Sequence, residues 1–186
     1  QHVLDYVQQK RFVIEGNFSD IGLESTVINT LGETPTILRQ GAITKEEIEH
    51  VLGKEVIIAK HDTNQKAISP GMKFRHYSPR APLEVIPLSA TEEIDQTLRD
   101  KALDHLANGK KVGALVSQET RFSLPPQVVS FSLGPRNNPQ TISARLYDGL
   151  HGFDLTDVDI ILVESFPEEG LGATIMDRIY RAAQDH

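Results

Sequence analysis

Leu83-Glu-Val-Ile-Pro-Leu88, the run from Thr91 to Asn108, and Val112-Gly-Ala-Leu-Val116 decide the fold. Two short apolar runs flank a segment that carries Ile94, Leu98, Leu103 and Leu106, and Gly109 stops it. That order reads as strand, helix, strand. Such a crossover makes the two strands parallel, with helices covering the sheet faces. The alternation continues downstream: the pattern predicts strands at 128–133 and 159–164 and helices at 141–150 and 175–183. The fold class is therefore α/β, with a small Rossmann-like parallel sheet filling residues 83–186.

Upstream the pattern changes. Residues 2–10 read as the end of a helix and 12–15 as a short strand. Two β-rich runs, 25–30 and 36–38, are separated by Gly32-Glu33 and predict an antiparallel hairpin. Thr44-Lys45-Glu46-Glu47 is a capping box, in which a Thr hydroxyl and a Glu carboxylate satisfy each other's free amides. It opens a helix with Ile48, Val51 and Leu52 on its apolar side and Gly53 as its stop. A last short strand is expected at 55–59. About sixty residues of such pieces bury little surface alone. Residues 1–60 are therefore expected to be the closing part of a larger α/β domain, and residues 61–82 a linker.

Composition narrows the function classes. The 186 residues allow one large domain or two small ones, and 39% hydrophobic with 24% charged residues is ordinary for a globular protein. The absence of cysteine excludes disulfides and thiolate metal sites, and fits a reducing, cytoplasmic setting. A net charge of −7 excludes a protein that coats nucleic acid over its whole surface, so any RNA contact must be local. No apolar run is long enough to span a bilayer. The seven histidines are scattered without metal-ligand spacing.

Three segments could carry chemistry. Ser69-Pro-Gly-Met-Lys-Phe-Arg-His-Tyr-Ser-Pro79 alternates Lys73, Arg75 and His76 with Phe74 and Tyr77, and no acidic residue falls between Gln65 and Leu83. A Pro-bounded stretch of cations and rings suits either a lid over a nucleotide or a basic interdomain linker. Ser25, in Gly22-Leu-Glu-Ser-Thr-Val27, either offers a hydroxyl to an anion at a sheet edge or simply opens a strand. Arg39, just past a strand and before Gly41, either clamps a phosphate or makes a surface ion pair. Gly170-Leu171-Gly172 matches only the start of a dinucleotide fingerprint and reads better as a tight turn into the last helix.

These stretches, with Pro35-Thr-Ile-Leu-Arg-Gln-Gly-Ala-Ile-Thr44 and Glu169-Gly-Leu-Gly-Ala-Thr-Ile-Met-Asp-Arg178, occur in an order that resembles the threonylcarbamoyl-AMP synthase family. The resemblance is to its longer form, a YrdC-like domain followed by a smaller one. It implies formation of L-threonylcarbamoyladenylate from L-threonine, bicarbonate or CO2, and ATP, with Mg²⁺ accompanying the ATP. It implies that Ser25 contacts L-threonine, that Arg39 contacts ATP, and that Tyr77, with Arg75, His76 and Lys73, belongs to a strap over the ATP. It further implies that the product serves threonylcarbamoyladenosine modification of tRNA through a downstream transferase complex. The family's Lys/Arg phosphate group and Ser-x-Asn motif belong to the first part of the YrdC-like domain and do not occur here. The chain is accordingly expected to be a piece incomplete for catalysis by itself. The other reading is a non-catalytic regulatory or RNA-binding module, with tRNA or double-stranded RNA as its partner.

Overall fold

The computed structural model describes residues 21–59, 78–88 and 94–184. The first part is a three-stranded sheet and one helix. β1 (Val27–Asn29) and β2 (Thr36–Arg39) form the antiparallel hairpin, in register Asn29 to Thr36 and Ile28 to Ile37, with an irregularity between Val27 and Ile28. α1 (Lys45–Leu52) follows, and β3 (Ile57–Ile58) returns parallel to β2. The capping box forms as its residue types require: Glu47 N donates to Thr44 Oγ1 at 3.3 Å, and Thr44 N donates to a Glu47 carboxylate oxygen at 2.8 Å. The apolar side of α1 departs from expectation. No residue of the helix is buried; Val51 is 82% exposed and Leu52 44%. Periodicity tells which residues share a face but not what covers that face.

The second part is a doubly wound parallel sheet. It comprises β4 (Leu83–Ile86), α2 (Ile94–Ala107), β5 (Val112–Val116), α3 (Gln118–Arg121), β6 (Val129–Ser132), α4 (Pro139–Phe153), β7 (Ile160–Glu164) and α5 (Leu171–Gln184). The spatial order is β4-β7-β5-β6, every pair parallel. β5 and β7 are central and buried along their whole length, which is why Val-Gly-Ala-Leu-Val and Ile-Ile-Leu-Val-Glu read as continuous runs and not as alternations.

The period of two splits their side chains between two cores. Val112, Ala114, Val116, Ile160 and Leu162 face α2, with Ile94, Leu98 and Ala102 against them. Leu115, Ile161 and Val163 face α4 and α5, with Leu146, Leu150, Ile175 and Ile179. Of the apolar residues that mark α2 in the sequence, Leu103 is exposed, and its neighbour Ala102 is the one buried.

Two contacts tie the ends of this domain. Arg80 N donates to the Asp154 carboxylate at 3.0 Å, and Ile161 N to the Pro82 carbonyl at 2.9 Å, so the chain enters β4 alongside β7. Leu23, from ahead of β1, packs into the core under α4 and α5.

Candidate functional site

Ser25 and Arg39 come together at the edge of the hairpin. Arg39 closes β2 opposite Val27. Its Nε and Nη2 donate to the Ser25 carbonyl at 3.2 and 2.9 Å, and Nη2 also reaches Ser25 Oγ at 3.3 Å. Ser25 is exposed and Arg39 half-buried. A planar fork is suited to holding one oxygen from two nitrogens. The outcome is an exposed hydroxyl with a guanidinium against it. Thr26 continues the frame by donating from Oγ1 to the Ile43 carbonyl at 2.5 Å. Lys73, Arg75, His76 and Tyr77 lie outside the described residues.

The residue that sequence reasoning missed is Glu24, next to Ser25. Its carboxylate turns away from the edge toward the other sheet's helices. It accepts from Tyr147 Oη on α4 at 3.0 Å and from Arg178 Nε on α5 at 3.0 Å. Arg178, with a side chain 7% exposed, also donates from Nη2 to the Gln40 carbonyl at 2.8 Å and pairs through Nη1 with Asp177. Thr174, one turn earlier, donates from Oγ1 to the Gly41 carbonyl at 3.1 Å. Burial pushes the Glu24 carboxyl upward, but the Arg178 charge and the hydrogen bonds to the carboxylate outweigh it and hold it below the ordinary value. Burial likewise disfavours the Arg178 cation, and Glu24, with Tyr147 and Asp177, more than restores it.

Close backbone approach makes this joint possible. A Cβ on Gly22, which has φ +67°, would lie 2.6 Å from Ala144 Cα on α4, and one on Gly41 would lie 2.3 Å from Thr26 N. Three of the four sequence motifs therefore meet here: Gly22 and Glu24 of the first, Gln40 and Gly41 of the second, Thr174 and Arg178 of the fourth. Gly170-Leu171-Gly172 makes the turn into α5, Gly172 N donating to the Glu169 carbonyl at 3.0 Å. A cleft of about 80 Å³ beside the joint, lined by Ile37, Gln40, Thr44 and Thr174 among others, is too small for a nucleotide.

A second polar cluster sits at the carboxyl ends of β5 and β7, where open α/β sheets commonly seat ligands. The chain's own side chains fill it. Glu164, fully buried, accepts from Ser117 N at 2.6 Å and Arg136 Nε at 2.7 Å. Arg136 Nη2 pairs with Asp95 and donates to Thr120 Oγ1 at 2.7 Å; that hydroxyl in turn donates to Asp95 at 2.6 Å. Burial works against the Arg136 cation, but Glu164 and Asp95 raise its pKa above the usual value. This cluster latches the sheet end.

The architecture defines a class: an α/β protein in which a Rossmann-like domain braces a sheet edge that bears a hydroxyl and a guanidinium. Residues 43–184 match the family model "Threonylcarbamoyl-AMP synthase, C-terminal domain", and the chain belongs to that family. It is 40% identical over 172 residues to the threonylcarbamoyl-AMP synthase of Bacillus subtilis, covering 92% of this chain and 48% of that protein. It is 33% identical over 183 residues to the one of Pyrococcus abyssi, covering 96% and 51%. The crystal structure of P. abyssi Sua5 complexed with L-threonine superposes with a TM-score of 0.79 at 33% identity, covering 91% of this chain and 48% of that one. The chain spans about half the length of the curated relatives it matches.

Proposed function

We propose that the protein bearing this chain is an L-threonylcarbamoyladenylate synthase. The observation that carries the reading is the apposition of Ser25 and Arg39, with Nη2 3.3 Å from the hydroxyl, at a sheet edge braced by the family's C-terminal domain. Ser25 contacts L-threonine; the choice of substrate, though not of the residue, is supported by a relative's structure described as complexed with L-threonine. Arg39 contacts ATP. Residues 1–60 belong to the YrdC-like domain, 61–82 form the linker, and 83–186 form the C-terminal domain.

The reaction asks for positioning more than for a dedicated nucleophile. The threonine amine adds to CO2, supplied as bicarbonate, and loses a proton to give the carbamate. A carbamate oxygen attacks the α-phosphorus of ATP, the bond from that phosphorus to the bridging oxygen breaks, and pyrophosphate leaves. A guanidinium beside the phosphates offsets charge through paired donors. Carbamates shed CO2 in water, so the strap of Lys73, Arg75, His76 and Tyr77 serves as a lid that excludes solvent. Among the described residues no group of three or more acidic or histidine side chains could hold a metal, and Mg²⁺ characteristically binds through substrate phosphates. The product supplies threonylcarbamoyladenosine modification of tRNA through a transferase complex, in the cytoplasm; among the described residues no helix is long and apolar enough to cross a membrane.

Calorimetric titration of the full-length protein with L-threonine and ATP, with pyrophosphate release as the activity readout, tests the proposal. Threonine-dependent pyrophosphate release is expected; ATP binding with no response to threonine refutes it.

A further inference from the structure

We infer that Arg178 is a positioning residue for the Ser25–Arg39 site, an inference that rests on the synthase reading. It stands on α5, in the other lobe, yet it grips one residue ahead of β1 and one just after β2, at the hairpin's open end. Nε donates to the Glu24 carboxylate at 3.0 Å, and Nη2 to the Gln40 carbonyl at 2.8 Å. Glu24 is covalently adjacent to Ser25, and Gln40 to Arg39. The guanidinium is itself fixed: Nη1 pairs with Asp177, which also accepts from Arg181 Nε at 2.9 Å. Tyr147 braces Glu24 from α4, and Thr174 holds the Gly41 carbonyl.

Nε, Nη1 and Nη2 each have a partner within the protein, so Arg178 acts on a ligand at Ser25 through the backbone. Charge-assisted bonds shielded from water are stiff and geometrically demanding. The last helix of the C-terminal domain thereby sets the spacing between the hydroxyl and the guanidinium. A shift of about 1 Å in such groups can cost roughly 10²-fold in rate or affinity.

The experiment compares Arg178→Met, Arg178→Lys and Leu98→Ala in the full-length protein. Methionine keeps the aliphatic bulk and drops both grips; lysine keeps charge near Glu24 but cannot span to Gln40. Leu98 is fully buried on the opposite face of the sheet and reports general loosening. Arg178→Met is expected to raise the KM for L-threonine by about tenfold or more, with Arg178→Lys between it and wild type. Leu98→Ala is expected to lower the melting temperature with KM within about twofold of wild type. A KM for Arg178→Met within about twofold of wild type, or an equal rise in Leu98→Ala, overturns the inference.

Hydrogen exchange supplies an arm that needs no substrate. In Arg178→Met the Ala42 amide, which donates to the Glu24 carbonyl at 3.3 Å, is expected to lose at least about tenfold in protection, and unchanged protection overturns the strut. Wild-type protein that fails to bind L-threonine refutes the synthase reading instead, and the exchange arm still decides the role of Arg178.

Discussion

Replacing Gly22 by alanine tests the joint from the other lobe. Two costs add. The residue sits at φ +67°, where a Cβ costs about 1 kcal/mol. The new methyl would also lie 2.6 Å from Ala144 Cα and 2.9 Å from the Ser143 carbonyl oxygen, whereas ordinary contact begins at 3.4 Å. Both neighbours are α4 backbone and cannot swing aside, so the loop ahead of β1 must retreat by about 0.8 Å, the difference between contact and overlap. Overpacking of this kind costs roughly 1–3 kcal/mol, giving a total of about 2–4 kcal/mol. The same retreat carries Glu24 and Ser25 with it. We expect urea denaturation of the full-length protein to lose about 2–4 kcal/mol and calorimetry to find L-threonine affinity weakened by about tenfold. A denaturation midpoint equal to wild type, with threonine affinity unchanged, would refute the close approach of these backbones.

Glu164→Gln should destabilise by about 2–3 kcal/mol in chemical denaturation, because an amide offers one acceptor where Ser117 N and Arg136 Nε now both donate to a carboxylate; a shift below about 0.5 kcal/mol would show the latch to be slack. Arg39→Ala should weaken ATP binding by more than about tenfold by calorimetry, and unchanged affinity removes Arg39 from the nucleotide site. The folded-state pKa of Glu24 is depressed below its ordinary 4.5, so the folded protein binds fewer protons at this site than the unfolded chain. Its contribution to stability is complete above pH 4.5 and is lost as the pH falls from there through the lower folded-state value. The stability difference between wild type and Glu24→Gln should therefore level off above that point and shrink below it; a difference independent of pH would contradict the assignment. Thr44→Ala, which removes the acceptor of Glu47 N, should cost about 1 kcal/mol, read by thermal unfolding.

The parallel domain was legible because its signals are local. Val112–Val116 and Ile160–Glu164 are continuous apolar runs, and only a strand covered on both faces needs them. The capping box at Thr44 and Glu47, and the hairpin of β1 and β2, were equally readable from a few adjacent residues. The four-residue α3 was not, because Gln118–Arg121 is too short to show a period. Nor could spacing find the Arg136 latch, assembled from α2, α3, β7 and the turn before α4. Ser25 and Arg39 were singled out one by one, but their meeting depends on hairpin register. Glu24 and Arg178 stand 154 positions apart, so no window of sequence joins them. The available signal was an acid in one motif and a base in another, and only the packing of α5 on the hairpin lobe makes them partners.

That separation bears on how the protein is made. A ribosome emits Glu24, Ser25 and Arg39 long before Arg178, and domains tend to fold in order of emergence. The hairpin edge must therefore wait, without its far brace, until the helix carrying Arg178 has been synthesised and docked. Full bracing of this edge is thus tied to completion of the neighbouring fold, and a chain interrupted shortly before Arg178 would keep the Arg39–Ser25 and Tyr147–Glu24 bonds but lack the grip that joins Glu24 to Gln40.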